Sequence, residues 1–277
     1  MVLEIIVVSE AKGSNPGGRC LLSNESNLPL PVYVKHCTQS RIRRGVSDFI
    51  PEHQPIYEAI TFQMGEKIGL NTPKFYVLLN KERNLKFTGC EGTKLDIKQD
   101  WPFYFVSELV MPPESEEPSE YNPIIEREAV YRDLLQISDI VGRKHNFCYR
   151  DGKVIYFDLG CSFIDAHMNA IELHNKHGRP LDKKEMKRAL RTLDRWILIG
   201  NDNISSLSLA DFVELPRYLS LPTLNPKGKV PLKNLISEAE IEEIIGRLAS
   251  GIFRSHYLQR NEGSPYLRRA TDFFKVQ

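Results

Sequence analysis

The stretch Tyr131–Phe163, YRDLLQISDIVGRKHNFCYRDGKVIYFDLGCSF, decides how the chain is read. Its first part sets Leu134, Leu135, Ile137 and Ile140 among Arg132, Asp133 and Gln136, a spacing that predicts a helix. Gly142 ends that pattern, and Arg143, Lys144, His145 and Asn146 form a polar turn. Two short apolar runs, Phe147–Tyr149 and Val154–Phe157, then flank Arg150-Asp151-Gly152-Lys153. Asp-Gly between such runs predicts a β-hairpin. The second run leads into Asp158-Leu159-Gly160, where glycine lets the chain turn sharply after the carboxylate. Helix, polar loop with an amide, hairpin and terminal aspartate together suit the holding of a metal–phosphate complex.

Upstream, residues 2–9 are rich in Ile and Val and predict a strand, and Cys20-Leu21-Leu22 predicts another. Between them Lys12-Gly13-Ser14-Asn15-Pro16-Gly17-Gly18-Arg19 reads either as a flexible hairpin loop or as a turn whose N–H groups approach an anion. It lacks the lysine-containing phosphate-loop pattern. Pro31–His36 is a third strand, with Val32, Val34 and His36 facing one way and Tyr33 and Lys35 the other. Lys35 is a solvated strand residue unless a carboxylate meets it. Residues 55–69 could supply one: Ile56, Ile60, Met64 and Ile68 recur every four positions, Glu66 and Lys67 lie outside, and Gly69 closes a helix. Glu58, in its first turn, either complements the helix dipole or pairs with Lys35.

Lys74–Leu79 and Trp101–Leu109 also predict strands. Met111–Tyr121, MPPESEEPSEY, is rich in Pro, Ser and Glu and reads as a linker, so the chain divides into residues 1–111 and 112–277. The first part is mainly β with one helix, and the second is mainly helical apart from the hairpin. A helix is expected over 182–200, a loop-rich tract with four prolines over 201–235, and a capping box at Ser237-Glu238-Ala239-Glu240 opening a helix through Leu248.

The 277 residues can form one large domain or two lobes and can bury a real core. At 41% hydrophobic, 26% charged and net charge +1 the chain reads as an ordinary soluble protein, with no electrostatic case for nucleic acid. Arg41-Ile42-Arg43-Arg44 reads as a solvated loop before it reads as a phosphate contact. The five cysteines are odd in number and lack CxxC spacing, which argues against disulfides and structural zinc and for a reducing cytoplasm. MVLEIIVV has Glu4 within it and no basic residues before it, so a strand is expected there and not a signal peptide. No membrane-spanning run is visible. His167, Glu172, His174 and His177 read as a polar surface helix ahead of a metal site.

Glycine loop, strand lysine, helix glutamate, proline-rich hinge, loop asparagine and hairpin-borne aspartate occur in the order of the protein-kinase-like fold. Within it the chain resembles the HipA-like kinases, including compact bacterial effector kinases of that type. The most specific stretch runs from Tyr57-Glu58-Ala59-Ile60 to Gly69-Leu70-Asn71-Thr72-Pro73, supported by GSNPGG before VYVKH and by NF…FDLGCSF. The likeness covers roughly residues 5–165.

That resemblance implies an α+β, two-lobed fold: a small β-rich N-lobe with one key helix, and a mainly helical C-lobe carrying a β-hairpin. It implies an ATP- and Mg²⁺-dependent phosphotransferase acting on a protein hydroxyl, cytoplasmic or delivered as an effector. Nucleotide, a protein substrate and a regulatory protein are the implied partners, with no membrane and no nucleic acid. Gly13, Ser14, Asn15, Gly17 and Gly18 would cradle phosphates. Lys35 would bind them with Glu58 holding it, and Glu108 and Val110 would offer backbone groups to adenine. Asn146 and Asp158 would coordinate Mg²⁺. One position departs from the family: its catalytic aspartate, five residues before the metal asparagine, is Val141 here. Either Asp139, aided by His145 and with Arg143 stabilising charge, orients the attacking hydroxyl, or the base is missing and the chain is a nucleotide- or partner-binding module. An unrelated α+β binding domain is the remaining reading.

Overall fold

The computed structural model describes residues 3–10, 16–23, 29–36, 48–80, 85–90, 93, 97–110, 135, 146–159 and 209–248. The protein is α+β and divides into two compact units. Unit 1 comprises Met1–Gln63, Thr72–Met111 and Arg217–Glu243, and unit 2 comprises Met64–Asn71, Pro112–Pro216 and Ile244–Gln277.

Unit 1 is built on a mixed eight-stranded sheet. In chain order its strands are β1 (Leu3–Glu10), β2 (Gly17–Ser23), β3 (Leu30–Lys35), β4 (Phe75–Leu79), β5 (Leu85–Gly89) and β6 (Phe103–Glu108). A hairpin, β7 (Phe147–Arg150) and β8 (Lys153–Tyr156), lies in unit 2, and β9 (Ser220–Asn225) and β10 (Lys227–Pro231) return to the sheet. The sheet order is β10-β9-β4-β6-β3-β2-β1-β5. β5 runs parallel to β1 and β9 parallel to β4, and the other neighbours are antiparallel.

Alternation along the strands gives the sheet two faces. Ile5, Val7, Cys20, Val32, Val34, Phe87, Tyr104 and Val106 form one apolar cluster. On β6 the intervening Phe103 and Phe105 are buried too, so the central strand is covered on both sides. Phe105 and Phe75 pack against Phe62 of helix α1 (Gln54–Lys67), with ring centroids 4.8 and 5.4 Å apart. α1 follows a 3-10 turn over Pro51–His53.

The expected inward row Ile56, Ile60, Met64 and Ile68 is buried, with Glu66 and Lys67 exposed. The helix is nevertheless buried more widely than one stripe requires, because Tyr57, Glu58, Ala59, Thr61 and Phe62 are also withdrawn from water. Its end is a glycine cap: Gly69 takes φ 91°, and the Gly69 and Leu70 N–H groups donate to the carbonyls of Glu66 and Gly65.

The described residues of 201–235, namely 209–235, are not the loop-rich tract the prolines suggested. They contain helix α2 (Leu209–Glu214) and the antiparallel pair β9–β10. Leu221 and Thr223 point inward, and the Asn225 side chain does the work of a backbone partner. Its Oδ1 accepts from the Leu79 N–H at 3.0 Å and its Nδ2 donates to the Leu79 carbonyl at 2.9 Å. So the described part of the chain beyond residue 112 is not helical apart from one hairpin. β5 is a further strand that the sequence reading passed over. Ser237 opens helix α3 (238–248), as expected. The expected helices over 131–140 and 182–200 lie outside the described residues, as do His167, Glu172, His174 and His177.

In unit 2 the Asp-Gly hairpin forms with the expected register, Arg150 opposite Lys153. Asp151 and Gly152 take φ 52° and 75°, the left-handed pair that a two-residue hairpin turn needs. Among the described residues no helix is long and apolar enough to cross a membrane. Cys20, Cys90 and Cys148 carry free thiols.

Gly17 and Gly18 sit where strands approach too closely for a side chain. A Cβ on Gly17 would lie 2.3 Å from the Val34 carbonyl oxygen, and one on Gly18 would lie 2.4 Å from that of Ser9. Both obstacles are backbone and cannot rotate away. Gly17→Ala and Gly18→Ala should each lower stability by about 1–3 kcal/mol, read as a fall in the denaturant midpoint. A midpoint within error of wild type would show that the strands can separate at no cost.

Candidate functional site

β2 and β3 pair so that Gly17 stands opposite Lys35 and Gly18 opposite Val34. The chain just before β2 stays alongside β3, since the His36 N–H donates to the Pro16 carbonyl at 3.2 Å. Gly17 and Gly18 are therefore strand residues and not part of a free turn. Gly13, Ser14 and Asn15 lie outside the described residues.

Lys35 is the last residue of β3; it shares a face with Tyr33, as strand alternation predicted, and that face is the one α1 covers. Its Nζ donates to Glu58 Oε1 at 2.8 Å. Lys35 is 8% exposed and Glu58 3%. The rings of Tyr33 and Phe105 lie 5.8 and 5.9 Å from the ammonium, within cation–π range. Glu58 does not lie in the first turn of α1, which holds no acidic residue. The helix begins one residue earlier than the sequence suggested, so the dipole explanation loses its basis and the ion pair stands. His36 is a packed strand-end residue: its ring lies 5.7 Å from Trp101, and its Nε2 accepts from the Lys98 N–H at 3.2 Å.

At the end of β6, Glu108 donates its N–H to the Lys74 carbonyl at 2.8 Å, and Leu109 donates to Pro31 at 3.1 Å. Successive residues thus face opposite neighbours, as in an extended strand. The Glu108 side chain also meets Lys74 at 3.7 Å, a solvated contact that contributes little. Val110, half-buried, follows just beyond the strand.

In unit 2, hairpin pairing brings Asn146, just before β7, beside the segment after β8 that carries Asp158. Phe147 pairs with Tyr156, and the Phe157 N–H donates to the Asn146 carbonyl at 3.1 Å. Asn146 is buried and Asp158 half-buried. The Asn71 carbonyl accepts from the Tyr156 N–H at 2.9 Å, fixing the hairpin on the segment after α1. Asp139, Arg143, His145 and Val141 lie outside the described residues. Among the described residues no cluster of three or more His, Cys, Asp or Glu side chains forms a metal site by itself.

A second polar centre was only half legible in the sequence. Glu240 completes the capping box: its Oε2 accepts from the Ser237 N–H and hydroxyl, both at 2.8 Å, and the Ser237 Oγ accepts from the Glu240 N–H at 3.3 Å. Its other oxygen, Oε1, accepts from His53 Nδ1 at 2.7 Å and Tyr57 Oη at 2.5 Å. Capping chemistry announces the first set of contacts; nothing local announces the second. Burial pushes the Glu240 carboxyl up, but hydrogen bonds from His53, Tyr57 and Ser237 outweigh it and hold the group below its ordinary value. Burial pushes the Cys20 thiol up to about 12, which disfavours its thiolate.

Removing one member of a buried ion pair strands the other charge. Lys35→Met should therefore cost about 3–5 kcal/mol in chemical unfolding, while Lys35→Met with Glu58→Leu should recover most of that loss. Equal losses in the single and double variants would deny the coupling. For Glu240 the folded-state pKa is depressed, so the unfolded chain binds the proton more readily. Its contribution is fully present above the ordinary value of 4.5 and is lost as the pH falls through the folded-state value. Glu240→Gln should flatten the acid side of a stability-against-pH curve; an unchanged slope would mean that this carboxyl does not drive it.

Compared with known proteins, the sequence matches no family model and no curated protein.

Proposed function

We propose that this chain is a two-lobed, protein-kinase-like phosphotransferase resembling the HipA-like Ser/Thr kinases, using ATP and Mg²⁺ and transferring the γ-phosphate to a protein hydroxyl. The observation that carries the reading is the buried Lys35–Glu58 pair, with Gly17 directly opposite Lys35 on the next strand. An ammonium held by a buried carboxylate, beside backbone with no side chain, suits contact with the oxygens of a polyphosphate.

Each residue has a part. Lys35 binds phosphate oxygens and Glu58 fixes its direction. The glycine tract Gly13, Ser14, Asn15, Gly17 and Gly18 lies along the phosphates. Beyond β6, strand alternation directs the Glu108 carbonyl and the Val110 N–H to one edge, where they can accept from and donate to an adenine base. Asn146 and Asp158 would hold Mg²⁺: one amide and one carboxylate at the two open ends of the β7–β8 hairpin are oxygen donors of the kind a hard cation takes. When bound, the ion neutralises charge on the phosphate oxygens. Asp139, oriented with His145, accepts the proton of the attacking hydroxyl, and Arg143 offsets developing charge. The hydroxyl oxygen forms a bond to the γ-phosphorus as the bond to the β–γ bridging oxygen breaks, and ADP leaves.

Val141 favours a second reading, in which the chain binds nucleotide or a partner without turnover. General-base catalysis is worth about 10²–10⁴-fold, enough to separate the two. ATP with Mg²⁺ should raise the melting temperature, since ligand at about 100 times its Kd stabilises a fold by about 2.7 kcal/mol. No shift at millimolar nucleotide would sink both readings. Among proteins that bind, γ-phosphate transfer should be lost in Asp158→Ala and in Asp139→Ala. Transfer lost in the first and kept in the second would remove Asp139 as the base, and no transfer by wild type would leave the binding module.

A further inference from the structure

We propose that Glu240 is a positioning residue for the Lys35–Glu58 ion pair, acting through Tyr57 and His53; its bearing on nucleotide rests on the phosphotransferase reading. The distance in sequence is large, 183 residues from Tyr57 to Glu240, yet both belong to unit 1.

Capping alone does not explain what Glu240 does. A glutamate at the third position of a helix needs to accept only the N–H of the capping residue, and the Ser237 N–H takes Oε2. Oε1 is left over and receives two donors from another element, His53 and Tyr57. These stand four residues apart, at the 3-10 turn and the first turn of α1, and so share one side of that entry. The carboxylate is 1% exposed and has both oxygens filled, so it cannot slide to a new partner without leaving a buried donor unmet.

The anchored residues are themselves held. Tyr57 Oη accepts from the Ile50 N–H at 2.9 Å, and its ring stacks on Phe49 with centroids 4.5 Å apart. The His53 ring meets Phe103 of β6 edge-on at 5.3 Å. Glu58 is the residue after Tyr57. A shift of the α1 entry that broke the Tyr57–Glu240 bond would carry Glu58 with it, and the 2.8 Å contact to Lys35 leaves little room for such a shift. The segment 237–240 thus sets how firmly the ammonium of Lys35 is held.

Lysine reactivity tests this without any nucleotide. An ion-paired, shielded ammonium acylates slowly, and releasing it raises the rate. In the full-length protein, acylation of Lys35 by an amine-reactive ester is followed by mass spectrometry, with alkylation of the buried Cys20 thiol reporting any opening of the sheet. Glu58→Gln gives the reference rate for Lys35 without the Glu58 charge. Tyr57→Phe and Glu240→Gln should move Lys35 several-fold toward that rate while Cys20 stays protected. Tyr57→Phe keeps the ring on Phe49 and carries the test should Glu240→Gln fail to fold. Lys35 at its wild-type rate in these variants overturns the proposal. So does a rise of Lys35 and Cys20 together, the mark of a purely structural role. The same proteins are then titrated with ATP and Mg²⁺ by thermal shift. If Lys35 follows Glu240 and wild type gives no shift, the positioning stands and the phosphotransferase reading falls.

Discussion

A buried ammonium facing a buried carboxylate sets the tolerance to which unit 1 is built. Taking charges out of water costs several kcal/mol per ion, and their attraction offsets that only at close range and in good geometry. The Lys35–Glu58 contact of 2.8 Å therefore fixes where α1 lies over β3. Apolar packing alone would not. Phe62 against Phe75 and Phe105 presses the helix to the sheet, but hydrophobic attraction has no direction and tolerates sliding. Registration comes from polar contacts: Lys35 with Glu58 along one side of α1, and Glu240 with Tyr57 and His53 at its entry.

The strands beside β3 obey the same constraint. β2 comes so near that Gly17 has no room for a Cβ, which keeps the backbone beside Lys35 bare of side chains. β6 on the other flank is buried from Phe103 to Ser107 and lends Phe105 to the surroundings of the ammonium. Lysine, glycine and aromatic residues are thus three strands' contributions to one spot, brought there by antiparallel register rather than by nearness in sequence.

What could be read from the sequence was local. Asp151-Gly152 determines its own turn because few residues accept φ values of 52° and 75° in succession. The four-residue apolar period announced α1, and Ser237 with Glu240 announced the start of α3. The ion pair could be guessed because strand alternation sends Lys35 to the helix side. What was hidden depended on partners far away. β9 looked like a loop because Pro222 lies within it and Pro226 just after it; its place is secured by Leu221, Thr223 and an Asn225 amide that substitutes for backbone at Leu79. Glu240 could be recognised as a cap, but its second oxygen is spoken for by His53 and Tyr57, and no local pattern encodes that.

The buried pair also bears on what unit 1 is built to do. A hydrophobic pair of similar volume often serves folding as well as a buried ion pair, or better. Stability therefore gives no reason for an ammonium at Lys35, ringed by Tyr33 and Phe105 and steadied by a carboxylate. The proposed phosphotransferase function would give one: a partly neutralised, rigidly aimed cation can accept a polyphosphate without first being ordered, and the rigidity lowers the entropic cost of binding. The polar contacts that register α1 thus also keep one positive charge in a fixed place.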